Sequence, residues 1–193
     1  ERLVSQPDVT APLGLRDRAM LEVLYSTGIR RQELLHLRIS DIDIERGTVL
    51  VREGKGRKDR VVPIGERAIA WVGRYLDEER TRLARAAAAD DGTVFLTQGG
   101  LAFNASHLGW TVRQYVNQAG IADKRGGCHL VRHTVATLML DNGADVRWIQ
   151  ELLGHKSLAT TQLYTHVSIR KLKEVHAATH PAAKLQRIPP DEA

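Results

Sequence analysis

Cysteine occurs once in 193 residues, at Cys128. A single thiol excludes an internal disulfide and suits a reducing compartment. No run of about eighteen apolar residues occurs, so no segment is expected to span a membrane. A charged, apolar, small-residue leader is also missing, in a chain that starts at Glu1 without methionine, so residues upstream are expected to be absent from it. No internal repeat appears. What remains, 42% hydrophobic and 26% charged, is the composition of a soluble globular chain long enough to bury a substantial core.

The charge that is present is uneven. The net charge is +5 with a pI near 9.6, which suggests an anionic partner without naming it. Residues 52–60 and 124–174 together hold thirteen Lys/Arg against six acids, a surplus of seven that leaves the rest of the chain at −2. A localised basic surface fits phosphate contacts better than general solubility does, and a solvated charged face is the alternative.

Periodicity organises the chain as α+β, mainly helical. Leu21, Leu24, Leu34 and Leu35 recur at helical spacing between Leu15 and Leu37, and the Ser26-Thr27-Gly28 break divides that stretch into two helices. "ISDIDI", "TVLVR" and "RVVPI" read as a β region, the last two flanking the Gly-rich turn "EGKGRKD" as a hairpin. Pro63 cannot donate to a ladder, so its strand belongs at an edge of a small antiparallel sheet of two or three strands. Helical periodicity returns over residues 66–85. "NASHLGWTVRQYVNQAG" reads as a helix with Asn104 as N-cap and Gly120 as stop; "HLVRHTVATLMLDNG" closes at Gly143 and "DVRWIQELLG" at Gly154. Ser157 can cap a helix carrying Tyr164, and "SIRKLKEVHAA" makes a last helix before a mobile, Pro-containing tail.

Individually, the residues that could carry chemistry are ambiguous. His129 and Arg132 are three apart and so share a helix face, where an Arg fork can grip two phosphate oxygens and a His can move a proton. A surface His and Arg would look the same. His129 and His133 have a metal-ligand spacing, but Leu130 stands where a zinc-protease helix needs Glu, and no acid-rich ligand cluster completes a site. Arg30 opens a helix, where a cation is unfavourable unless an anion lies nearby. That anion could be a phosphate, or simply Glu33 or Glu22. Lys55 sits between two glycines at the hairpin tip, free to reach a phosphate or a leaving oxygen, or merely solvated; Lys58 competes with it. Cys128 adjoins His129, but neighbours on a helix point apart, so a Cys-His dyad is not expected.

The ordered set Arg30, Lys55, His129-x-x-Arg132, His155 and Tyr164 resembles the catalytic domain of the tyrosine recombinases, the family of phage integrases and Xer-type recombinases. The resemblance rests on "LRDRAMLEVLYSTGIRRQELLHLRISDID", "GKGRKDRVVPIGERA", "HLVRHTVATLML" and "IQELLGHKSLATTQLYTHVS", which span about residues 15–176. Val131 and Val135 depart from the family's usual Leu and Phe at what look like packing positions.

The resemblance implies a site-specific DNA recombinase acting by transesterification. Tyr164 would attack a scissile phosphate, forming a 3′-phosphotyrosyl link and releasing a 5′-hydroxyl. Arg30, Arg132 and His155 would hold the phosphate, Lys55 would protonate the leaving oxygen, His129 would assist proton transfer, and Glu33 would support Arg30. Arg31, Arg57, Lys58, Arg60, Lys156, Thr160 and Thr161 would contact DNA. No metal or other cofactor is implied, since the covalent link conserves bond energy. The partner would be double-stranded DNA, bound by a homotetramer of chains that are monomeric when free, in the cytoplasm at the nucleoid. Residues 1–180 would form the catalytic domain and 181–193 the tail, with an N-terminal DNA-gripping domain absent. A DNA-binding module that no longer cuts, a type IB topoisomerase and a metal-dependent hydrolase are the competing readings; the complete catalytic set, the match of "LLGH…TTQLYTHV" to integrases and the lack of carboxylates argue against them in turn.

Overall fold

The computed structural model describes residues 2–52, 59–121 and 127–154. Helix α1 (Gly14–Thr27) is the centre of the fold and is buried on nearly every side, its Ala19, Met20, Leu21, Val23 and Leu24 lying in the main core. It packs against α3 (Glu66–Tyr75) and α6 (Cys128–Asp141). Helix α2 (Arg31–Leu35) follows the Ser-Thr-Gly break, shorter than the apolar spacing suggests. Gly28 makes the turn possible: its φ of 62° is in the left-handed region, and its N–H closes α1 on the Leu24 carbonyl.

Strands β1 (Ile42–Asp43), β2 (Thr48–Val51) and β3 (Arg60–Pro63) form one antiparallel sheet in that order. Pro63 stands opposite Thr48 on the edge strand, as its missing N–H requires. The first half of "ISDIDI" is a single 3₁₀ turn, Ile39–Asp41, and not a strand. Asp41 explains the difference, because its carboxylate accepts the Arg38 N–H and a 2.6 Å hydrogen bond from Arg52. A local side-chain partner of this kind competes with ladder pairing.

Residues 66–85 are helical through α3 and α4 (Thr81–Ala84), joined by a π turn at Leu76–Arg80. That turn buries Glu79 against the start of α1, where its two oxygens accept the Leu13 and Arg16 N–H groups at 3.1 Å. Helix α5 (Ala105–Gln118) starts at Asn104, whose side chain accepts the His107 N–H. Helix α7 (Val146–Leu153) begins with an Asp145 cap and ends at Gly154. Ile149 and Leu153 bury against Ala136 of α6, making a smaller satellite of the core. Among the described residues no helix is long and apolar enough to cross a membrane. The architecture is mainly helical with one small three-stranded sheet.

Candidate active site

Arg30 and Arg132 lie about a hundred residues apart in sequence, and the fold brings them to one cavity of about 260 Å³. Arg30 enters from the turn before α2 and Arg132 from the second turn of α6, with His129 on the same α6 face. Arg31, Trp110 and Arg113 complete the rim. Among the described residues, the lining contains four arginines and a histidine but no carboxylate. Such a cavity concentrates positive potential where low-dielectric walls focus it.

The arginines are held by backbone oxygen as much as by charge. Arg132 is 6% exposed and donates through Nη1 to the Gly28 carbonyl and through Nη2 to the Leu153 carbonyl, both at 2.6 Å. Arg30 donates to the Gly154 carbonyl at 2.8 Å, and Arg60 of β3 reaches the Leu152 carbonyl at 3.2 Å. Three arginines from three elements therefore hold three successive carbonyls at the end of α7. These belong to the last turn of a helix, where carbonyls lack an intrahelical partner. Close approach is built in here: Gly154 has φ 62°, and a Cβ there would meet the Arg60 guanidinium at 3.1 Å.

One carboxylate serves two of these arginines. Glu33 accepts the Arg30 N–H at 2.7 Å and an Arg30 Nη1 bond at 2.8 Å, so the anion that the opening cation of α2 calls for is Glu33 itself. Its two oxygens also take a forked pair of 2.8 Å bonds from Arg60. Burial raises the Glu33 carboxyl, but these hydrogen bonds and the Arg60 charge outweigh it and bring it down to about 2. Glu22, the other candidate partner of Arg30, is instead paired with Arg18 and Arg67. Burial pushes the Cys128 thiol up to about 11, so it stays protonated at neutral pH beside the cavity it lines.

The sequence-derived set divides cleanly. Arg30, Arg31, His129 and Arg132 line the cavity; Glu33 and Arg60 lie behind Arg30. Lys55, Arg57, Lys58, His155, Lys156, Ser157, Thr160, Thr161 and Tyr164, with the last helix and tail, lie outside the described residues. Trp110 and Arg113 were not singled out from sequence. Their signal is in α5: Leu108, Thr111, Val112 and Val116 take the buried face, leaving Trp110, 61% exposed, and Arg113 turned outward beside the arginines. Among the described residues, no group of three or more His, Cys, Asp or Glu side chains gathers as metal ligands would.

Comparison with known proteins gives a consistent picture. The chain is 51% identical over 187 residues to the tyrosine recombinase XerC 2 of Ralstonia nicotianae, covering 97% of this chain and 52% of that protein. A crystal structure of XerA recombinase superposes with a TM-score of 0.76 at 37% identity, over 93% of this chain and 62% of that one. A XerH site-specific recombinase, in a post-cleavage complex with its palindromic difH substrate, gives 0.76 at 30% identity over 91% and 49%. The chain thus spans about half to three-fifths of the curated relatives it matches. The phage integrase family matches from residue 1 to residue 171, through every element that builds the cavity, and the chain belongs to that family.

Proposed function

We propose that this chain is the catalytic part of a site-specific DNA recombinase that cleaves and rejoins strands through a 3′-phosphotyrosyl intermediate. The observation that carries the reading is the cavity joining Arg30, Arg132 and His129, with no acid among its described lining residues, in a phage integrase family chain. A scissile phosphodiester seated there has its non-bridging oxygens between two guanidinium groups whose planar forks match them. The Tyr164 oxygen attacks phosphorus, the P–O5′ bond breaks, and Lys55 gives the departing oxygen its proton. His129 takes part in moving the tyrosine proton, and His155 adds a hydrogen bond to the phosphate. An ordinary tyrosine, with a pKa near 10, is mostly protonated at pH 7, so a cationic surround favours its ionised form. Rejoining reverses these steps with the 5′-hydroxyl of the exchanged strand as nucleophile, and needs no external energy source.

The duplex meets Arg31, Arg113 and Trp110 beside the cavity, and Lys58, Arg57, Lys156, Thr160 and Thr161 are further DNA contacts. Residues 1–180 act as the catalytic unit and 181–193 as a tail; four copies assemble on DNA from monomers, with the segment after Tyr164 docking on a neighbour, at the nucleoid.

The test is a covalent adduct. Nicked suicide duplexes bearing recombination sites are incubated with the protein and with Tyr164→Phe, then run on a denaturing gel. A protein–DNA adduct that maps to Tyr164 and vanishes in the Phe variant supports the reading. An adduct that survives in the variant overturns the nucleophile assignment. DNA binding with no adduct on any site, in this chain or in a longer one, points to a binding module.

A further inference from the structure

We infer that Arg60 is a positioning residue for the phosphate-binding Arg30, acting through Glu33. The inference rests on the recombinase reading above and extends it to a side chain outside the cavity.

Charge decides the matter. Arg30 and Glu33 alone form a neutral pair, with Glu33 Oε1 accepting Arg30 Nη1 at 2.8 Å. A neutral pair stabilises poorly the negative charge that builds on the phosphate as phosphorus is attacked, because each guanidinium hydrogen given to carboxylate is charge withheld from those oxygens. Arg60 adds a second cation to the same two oxygens, so the Arg30–Glu33–Arg60 trio carries a net +1. Glu33 then fixes the Arg30 side chain without neutralising it. Arg60 itself does not line the cavity, whereas Arg30 does, and its side chain is only 14% exposed.

Arg60 holds the same region mechanically. Its Nε donates to the Leu152 carbonyl, one residue before the Arg132 contact and two before the Arg30 contact. The chain leaves this clamp at Gly154 and enters His155 directly. Fork geometry matters to both tasks, since a lysine ammonium offers one point charge where Arg60 presents three donors in a plane.

The experiment is a double-mutant cycle on the full chain, with the suicide duplex on which the unmodified protein forms its adduct. Single-turnover adduct formation at saturating DNA is measured for Arg60→Met, Glu33→Gln and the double variant, with DNA affinity, its salt dependence and thermal melting followed separately. Arg60→Met should slow adduct formation by about 30-fold or more, while affinity changes less than about threefold. In the Glu33→Gln background, where no negative charge remains to offset, the same change should cost less than about threefold. If Arg60→Met fails to fold, Arg60→Lys carries the test, with a slowing of about tenfold that again shrinks in the Glu33→Gln background. Two results overturn the inference: an equal loss in both backgrounds, or weakened binding with a salt slope reduced by about 1 and an unchanged rate at saturation, the mark of a direct phosphate contact. An unmodified protein that forms no adduct on any site, in this chain or in a longer one, removes the recombinase reading and this inference with it; a normal adduct with a fully active Arg60→Met removes the inference alone.

Discussion

Arg16 and Arg80, at the α1–α3 side of the core, each have a carboxylate of their own. Arg16 meets Asp17 at 2.6 Å and donates to the Leu96 carbonyl, while Arg80 forks onto Asp90 and reaches the Thr93 and Val94 carbonyls. At the cavity between α2, α5 and α6 the ratio is reversed. Among the described residues, one carboxylate, Glu33, hydrogen-bonds both Arg30 and Arg60, and four arginines face a lining without an acid. Both regions bury guanidinium groups, yet among the described residues one is closed by its own anions and the other lines its cavity with arginines and no acid. A balanced cluster ties elements together; an unbalanced one has affinity left for a ligand. On the proposed reading, the difference separates scaffold from site in a family whose named relatives are recombinases.

The comparison can be broken from either side. Arg132→Ala should show the largest effect, a loss of roughly 10²–10³ in single-turnover adduct formation, about 2.7–4 kcal/mol of transition-state stabilisation. Arg16→Met should instead lower folding stability by about 3 kcal/mol, the low end for breaking a buried pair. The low end applies because burial already pushes the Asp17 carboxyl up, so it can take a proton when its partner goes. Denaturant unfolding measures that loss, and the rate per folded molecule should stay within about twofold, against the 10²-fold scale of a cavity arginine.

Acid should act on Glu33 next. Its carboxyl is held at about 2 in the folded chain against 4.5 for the ordinary group, so its contribution is fully present above about pH 4.5 and is lost as pH falls toward 2. Glu33→Gln should flatten the fall in melting temperature across that window, partly, because Asp90 is depressed to about 2 as well. The smallest expected effect belongs to the rim. Arg31→Ala or Arg113→Ala should weaken DNA binding by a similar factor on every sequence and lower the salt slope by about 0.9 each.

Local signals carried much of this molecule. Asn104, Gly120, Gly143 and Gly154 mark helix boundaries because capping and left-handed turns are properties of a few adjacent residues. The Arg30–Glu33 pair is legible for the same reason, being three residues apart at the start of α2. The 3₁₀ turn at Ile39 was not, since alternation in "ISDIDI" says nothing of the Asp41–Arg52 contact that bends it. Least visible was the clamp on α7. Arg60 meets Glu33 across 27 residues, and Arg30 meets Gly154 across 124, so only the packed fold defines those partners. Arg60 was expected to contact DNA beside Arg57 and Lys58, and nothing in its sequence neighbours points to its bond with Glu33.

The most direct measurement replaces the scissile phosphate with an uncharged methylphosphonate and compares the unmodified protein with Arg30→Ala and Arg132→Ala. If the cavity arginines serve to balance charge on the non-bridging oxygens, their loss should matter little on the neutral substrate, and the three rates should converge. A deficit as large on methylphosphonate as on phosphate would contradict the account and leave these arginines as clamps on the backbone alone.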